Sequence, residues 1–369
     1  MQTEQANLEY PYNSPPPYGT IMEVAPGVFW LQMPLPMSLN HINLYLLDDG
    51  DSWVVVDTGI RGEDTRQYWQ KIFDDHMQGK PVGRVICTHM HPDHTGQAGF
   101  IADHWQATLL MSYSEYYQAR VMNSMMRESS SWHTTEYFVR AGIDQHFLEQ
   151  MSKGHDSFAP DETDIPLPSS FIRLTDGDKL AIGGETWKII TGSGHSPEHV
   201  CLYSKGHRIL ISGDQILPVI TSNVSVFPTE PEGNPMLGWL NSLERFRDVV
   251  PNDTLVLPAH NAPFYGLHGR VGELLAHHED RMLAIEESCV EAKTAVELLP
   301  VLFKRELEGP SRFMALGECV AHLHCLMTYS RIKRRLENGV YTYLSVDPSL
   351  EQRATPGHHD APDESPLMV

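Results

Sequence analysis

Cysteine is sparse and unpaired in this 369-residue sequence. Cys87, Cys201, Cys289, Cys319 and Cys325 are odd in number, scattered, and include no CxxC pair. That fits reduced thiols in the cytoplasm better than a disulfide framework. Basic residues are also scarce: 27 Lys and Arg stand against 48 Asp and Glu, a formal charge of −21. Such a surface repels phosphate backbones unless its charge is very unevenly placed. No stretch approaches the roughly 18 uninterrupted apolar residues of a membrane span. The first residues, MQTEQANLEYPYNSPPPYG, have neither a basic start nor an apolar run. No secretion signal and no membrane partner are therefore expected.

Histidine, by contrast, is abundant, with 20 residues. Three of them, with an aspartate, crowd into THMHPDHTG at residues 88–96. A core cannot bury that many imidazoles unpaired. The preceding VGRVICTH reads as a buried strand that delivers the motif at its C-terminal end. In the spacing H-x-H-x-D-H, His89 and His91 can chelate one ion, and Asp93 and His94 a second. Nitrogen and carboxylate donors suit Zn, with Mn or Fe as alternatives. Three later strands end in suitable partners: His195 in ITGSGHSPEH, Asp214 in LISGDQ and His260 in LVLPAH. GSGHS at 192–196 centres on His195 and not on serine, so it is no serine nucleophile elbow.

The set His89, His91, Asp93, His94, His195, Asp214 and His260 resembles the metallo-β-lactamase-fold hydrolase superfamily, in its two-metal, glyoxalase-II-like and lactonase-like branch. The resemblance implies an α/β fold, a four-layer αββα sandwich with the metals at one edge between the sheets. It implies His89, His91 and His195 on one ion, Asp93, His94 and His260 on the other, and Asp214 between them. It also implies that Asp57, ending VVVDTG, holds a ligand histidine through its free ring N–H. Two divalent ions would acidify a shared water, and the hydroxide would attack the substrate. Asp93 and Asp214 are the expected catalytic carboxylates, with Asp93 orienting the nucleophile.

Outside the motifs, residues 1–20 read as a loose arm and 21–266 as the catalytic domain. Helical spacing rich in Met and aromatics marks an insertion at about 113–165. Residues 267–347 read as a small, mostly helical domain, and 348–369 as a disordered tail. The 267–347 part resembles the winged-helix-like extension of some β-lactamase-like relatives, one of which acts on RNA. Its basic cluster, Arg331, Lys333, Arg334 and Arg335, reads as the solvated end of a helix or as a phosphate contact. Asn40 and His41 lie in a hairpin loop that, by the resemblance, overhangs the metals. Tyr113 and Tyr116 are expected to line an apolar substrate pocket. The first reading is a hydrolase of small esters, thioesters or lactones. A phosphodiesterase or endoribonuclease is the alternative, and a non-catalytic metal-binding scaffold the third. The exposed aromatic helices also allow a homodimer.

Overall fold

The computed structural model describes residues 7–346 apart from residues 38, 126–131, 145–147, 149–164, 306 and 308. Strands β1 (Met22–Ala25), β2 (Val28–Pro34), β3 (His41–Asp48), β4 (Trp53–Val56), β5 (Val82–Ile86), β6 (Thr108–Ser112) and β7 (Ile172–Leu174) form one sheet in sequence order. A second sheet has the order β12-β11-β10-β9-β8, from β8 (Lys179–Ile182), β9 (Glu185–Gly192), β10 (His199–Ser204), β11 (Ile209–Gly213) and β12 (Leu255–Pro258).

The layering follows from strand alternation, because both faces of these strands are apolar. In β3 and β4, Tyr45, Leu47, Val54 and Val56 point between the sheets. There they meet Trp187, Ile189, Val200, Leu202, Ile209 and Ile211 of the second sheet. The intervening Leu44, Leu46, Trp53 and Val55 point outward, against Trp69, Ile72 and Phe73 of α1 (Glu63–His76). On the far side, Ile190, Cys201, Leu210 and Val256 pack with Trp239, Leu243 and Phe246. Those three lie on one stripe of a helix at Pro235–Val249. This is the expected αββα sandwich.

Two short helices, α2 (Pro92–Thr95) and α3 (Ala98–Trp105), follow β5. The described part of the insertion is helical, with α4 (Tyr113–Met125) and α5 (Trp132–Arg140). The remainder of that expected segment, and the expected tail, lie mostly or wholly outside the described residues. The Pro235–Val249 helix is α6, and the C-terminal part contributes α7 (Leu267–Ser288), α8 (Ala295–Leu302) and α9 (Pro310–Thr328). Residues 7–20 are fastened along the sandwich: Glu9 bridges Tyr265, the Tyr12 hydroxyl donates to Val24 O, and the Tyr18 hydroxyl donates to Asn40 O. Among the described residues no helix is long and apolar enough to cross a membrane.

One element differs from the sequence reading. The basic cluster is not the end of a helix. The helix stops at Thr328, Ser330 turns left-handed at φ 58°, and residues Ile332–Glu337 form β13, paired antiparallel with β14 (Val340–Ser345). Asn338 and Gly339, both at positive φ, make the two-residue turn between them. Asn-Gly is the strongest short-range hairpin signal, and it overrides the helical tendency of the charged run before it. Arg331 pairs with Glu279 and Glu286, and Arg334 with Glu232, while Lys333 and Arg335 are exposed.

Candidate metal centre

Five strands deliver the functional side chains at their C-terminal ends. Asp57 follows β4, the 88–94 loop follows β5, His195 follows β9, Asp214 follows β11 and His260 follows β12. All seven expected ligands meet at one edge of the sandwich. His89, His91, His195 and Asp214 form one group, and Asp93, His94 and His260 a second.

Asp214 lies between the groups. Its Oδ2 is 3.4 Å from His195 Nε2 and 3.5 Å from His94 Nε2, and its Oδ1 is 3.4 Å from His260 Nε2. His260 Nε2 is also 3.5 Å from Asp93 Oδ2. In the first group, His89 Nε2 is 2.8 Å from His91 Nδ1 and 3.2 Å from His195 Nε2. Ligand nitrogens at 2.0–2.1 Å around a tetrahedral ion stand roughly 3.3 Å apart, close to the spacing seen here. Three buried polar atoms of the cluster have no hydrogen-bond partner: His94 Nε2, His260 Nε2 and Asp214 Oδ1. Buried orphans of this kind need an explanation, and a shared cation supplies one. The donor set therefore fits divalent metal ions.

The opposite ring nitrogens of three ligands are all engaged. His94 Nδ1 donates to Asp57 Oδ2 at 2.8 Å, His195 Nδ1 to Asn223 O at 2.8 Å, and His260 Nδ1 to His41 O at 2.9 Å. Each bond holds the ring with its Nδ1–H outward and turns Nε2 toward the centre, where a metal ion can take the place of a proton. Asp57 sits at φ 60°, a conformation unusual for a residue with a side chain. Its carboxylate also accepts from Thr88 N at 2.7 Å and Thr88 Oγ1 at 2.8 Å, so it organises the start of the histidine loop. His199, beside the motif, accepts from Asp214 N at 3.1 Å and stacks on His89.

Electrostatics favour a cation. Burial, and then neighbouring imidazoles, hold His89 well below its ordinary pKa and His91 down at about 3, so both stay neutral and ligand-ready. Burial opposes charge on His260 as well, but Asp214 and Asp93 outweigh it and lift that ring to about 9. Burial likewise opposes charge on His94, yet Asp57, Asp93 and Asp214 raise it well above its usual range. A carboxylate field that holds a proton there holds a metal ion in its place.

The remaining expected contacts divide. His41 is half-buried at the rim, with its Nδ1 2.8 Å from Asn40 Oδ1 and its Nε2 accepting from Asn261 N. Burial lowers its pKa to about 4, which keeps it neutral. Tyr113 is exposed, against Tyr117 and beneath the Arg173 guanidinium. Tyr116 is buried: its ring stacks on Phe171 at 3.9 Å and its hydroxyl donates to Pro168 O. It packs the insertion against the sandwich. A cavity of about 380 Å³ opens between α5, residues 228–232 and the β13–β14 hairpin, lined by Arg140, His324, Arg334 and Tyr341 among others, but by none of the seven cluster residues.

Two supports escape the sequence reading. Asn43 donates to Pro258 O and Asn261 O, tying β3 to the turn that bears His260. An asparagine inside the apolar run HINLYLLD is the available signal. Glu115, wholly buried at the start of α4, accepts from Met90 N, Ser196 Oγ and Glu198 N at 2.9, 2.6 and 2.7 Å, and so clasps both ligand loops. Nothing local to SEYYQ announces those partners.

Burial pushes the Glu115 carboxyl up to about 7, despite its three donors. Between its unfolded value of about 4.5 and that folded value, the native state binds the extra proton, so this group's contribution to stability falls as pH rises. The change is about 3 kcal/mol over that window. Glu115→Gln removes the titration. Urea denaturation of the metal-free protein should therefore lose less stability from pH 4.5 to 7 in the variant than in wild type. Equal slopes would show that Glu115 does not titrate there.

Residues 38–260 match the model of the metallo-beta-lactamase superfamily, and residues 282–346 that of the metallo-beta-lactamase-like C-terminal domain. The crystal structure of a beta-lactamase domain protein from Burkholderia ambifaria is similar, with a TM-score of 0.83 at 39% identity over 92% of this chain and 98% of that one. A metallo-beta-lactamase family protein from Thermus thermophilus gives a TM-score of 0.71 at 26% identity, over 88% of this chain and 100% of that one. The acyl-coenzyme A thioesterase MBLAC2 of Bos taurus is 24% identical over 200 residues, which are 52% of this chain and 63% of that protein. The match thus spans less than two thirds of that relative.

Proposed function

Because the chain belongs to the metallo-β-lactamase superfamily, we propose that its paired clusters hold two divalent ions, zinc first among them, and hydrolyse a small acyl substrate, a thioester before an ester or lactone. The observation that carries this reading is the trio of buried, unpartnered atoms, His94 Nε2, His260 Nε2 and Asp214 Oδ1, converging between two ligand groups. The thioester preference rests on likeness to a protein named as an acyl-coenzyme A thioesterase.

His89, His91 and His195 would hold one ion, Asp93, His94 and His260 the other, with Asp214 shared. Such ions supply Lewis acidity, which acidifies water and polarises the substrate carbonyl. Asp214 is the fixed anion between the groups, and its burial keeps bulk water from competing for it. Asp93 has 18% of its side chain exposed, against 1% for Asp214. It therefore faces both the cluster and the open side, where it can orient the attacking water. Asn40 stands at the rim, where its amide N–H can donate to the substrate, while His41, whose two ring nitrogens are taken by Asn40 and Asn261, holds Asn40 in place, and Tyr113 offers an exposed ring to an acyl chain. The products of thioester cleavage are a carboxylic acid and a thiol.

Metal-reconstituted protein should be tested on acyl thioesters, chromogenic esters, lactones, a phosphodiester and a short RNA. Thioester cleavage is expected to lead. Cleavage confined to the phosphodiester or RNA would transfer the reading to nucleic acid, against the internal pairing of Arg331 and Arg334. Two bound ions with no hydrolysis across the panel would leave a scaffold.

A further inference from the structure

The His195 ring is aimed by a carbonyl, Asn223 O, and that carbonyl belongs to a segment without regular structure. What holds this segment is a helix outside the catalytic sandwich. Val226 N donates to Gly317 O of α9 at 3.0 Å. A Cβ at Gly317 would stand 2.9 Å from Ser225 Cβ and 3.0 Å from Val226 O, so the close approach depends on glycine there. Next to it, Glu318 is buried. Its Oε2 accepts from Asn223 Nδ2 at 3.4 Å and its Oε1 from Arg281 Nη1 of α7 at 3.2 Å. The other side-chain atom of Asn223, Oδ1, accepts from Ser225 Oγ at 2.6 Å. The same segment reaches Asp214, whose carbonyl accepts from Ser222 Oγ.

We infer that Glu318 is a positioning residue for His195: it fixes Asn223, and through the Asn223 carbonyl it sets the tautomer and aim of a ligand ring. The inference rests on the metal-binding reading above. It assigns the C-terminal helices a part in the centre although they contribute none of its seven residues. A buried carboxylate is costly unless fully paired. Glu318 is paired to Arg281 on one side and to Asn223 on the other, and of these two pairings the second leads to the site.

Polarity reversal tests the link. Asn223→Asp is nearly isosteric, but it sets a carboxylate oxygen against Glu318 in place of an amide N–H. Adding Glu318→Gln restores one donor and one acceptor. The new amide N–H donates to the carboxylate at position 223, and the amide oxygen still accepts from Arg281. The metal-stripped full chain is titrated with Co(II), following visible absorption and chelator competition, with melting of the metal-free protein alongside. Wild type should bind two equivalents. In Asn223→Asp one of them should weaken about ten-fold with an altered spectrum, as losses behind a ligand histidine do. The double variant should recover both affinity and spectrum. Wild-type binding in a folded Asn223→Asp protein, or no recovery in a folded double variant, would overturn the positioning role. If Asn223→Asp does not fold, Glu318→Gln alone serves: its amide cannot satisfy Arg281 and Asn223 together, so unchanged Co(II) binding would equally overturn it. Wild type that binds no Co(II) would instead defeat the metal reading itself.

Discussion

Asp214→Ala is expected to lose both metal ions and to lower turnover by at least about a thousand-fold. The carboxylate is 1% exposed and, among the described residues, is the only one within 4 Å of ring nitrogens from both groups, reaching His89, His94, His195 and His260. Removing it leaves four imidazoles crowded with no shared anion to offset a cation among them. His260 would lose the first of the two carboxylates that lift its pKa to about 9. The fold itself should survive, because the other Asp214 contacts are made by its backbone. Its N–H donates to His199 Nε2 and its carbonyl accepts from Ser222 Oγ, and alanine keeps both. Metal analysis and hydrolysis assays should be paired with circular dichroism. A folded variant that still carries two equivalents would show that Asp214 is not shared.

What can be read from sequence is what lies close together along the chain. H-x-H-x-D-H declares itself because a strand end gathers it within six residues. His195, Asp214 and His260 are legible for a related reason: each ends a strand of recognisable apolar pattern, and strands in a layered α/β fold deliver their C-terminal ends to one edge. The supports are not legible. Glu115 acts on Met90 and also on Ser196 and Glu198, 81 and 83 positions further on, and its own neighbours are aromatic packing residues. Glu318 reaches Asn223 across 95 positions. Such partners are chosen by tertiary packing, which leaves no period in the sequence. The hairpin is a different case. Its Asn338-Gly339 turn is present in the sequence, but the run of Arg and Lys before it reads as a helix end, and strand propensity in IKRRLE is weak outside its pairing with VYTYLS.

Asp93→Ala should separate the two groups where Asp214→Ala collapses them. Among the ring nitrogens of the cluster, Asp93 approaches those of His94 and His260, at 3.7 and 3.5 Å, and it is not part of the His89, His91, His195 and Asp214 group. Its loss removes one of three donors from the second group and none from the first. The variant should therefore retain about one metal equivalent per chain. Its carboxyl is held down at about 2, since His94 and His260 outweigh the burial that would raise it. It is thus ionised across the whole working pH range, and its removal cannot be mimicked by mild acid. Turnover should fall about 100- to 1,000-fold, because the second ion and the group that orients water go together. Asp93→Asn sharpens the distinction. Its amide keeps an oxygen for the ion but loses the charge and the second accepting oxygen, so metal retained with turnover still lost would assign the orientation of the attacking water to the Asp93 carboxylate. Two full equivalents in Asp93→Ala would instead remove Asp93 from the ligand set and leave His94 and His260 to hold the second ion with Asp214 alone.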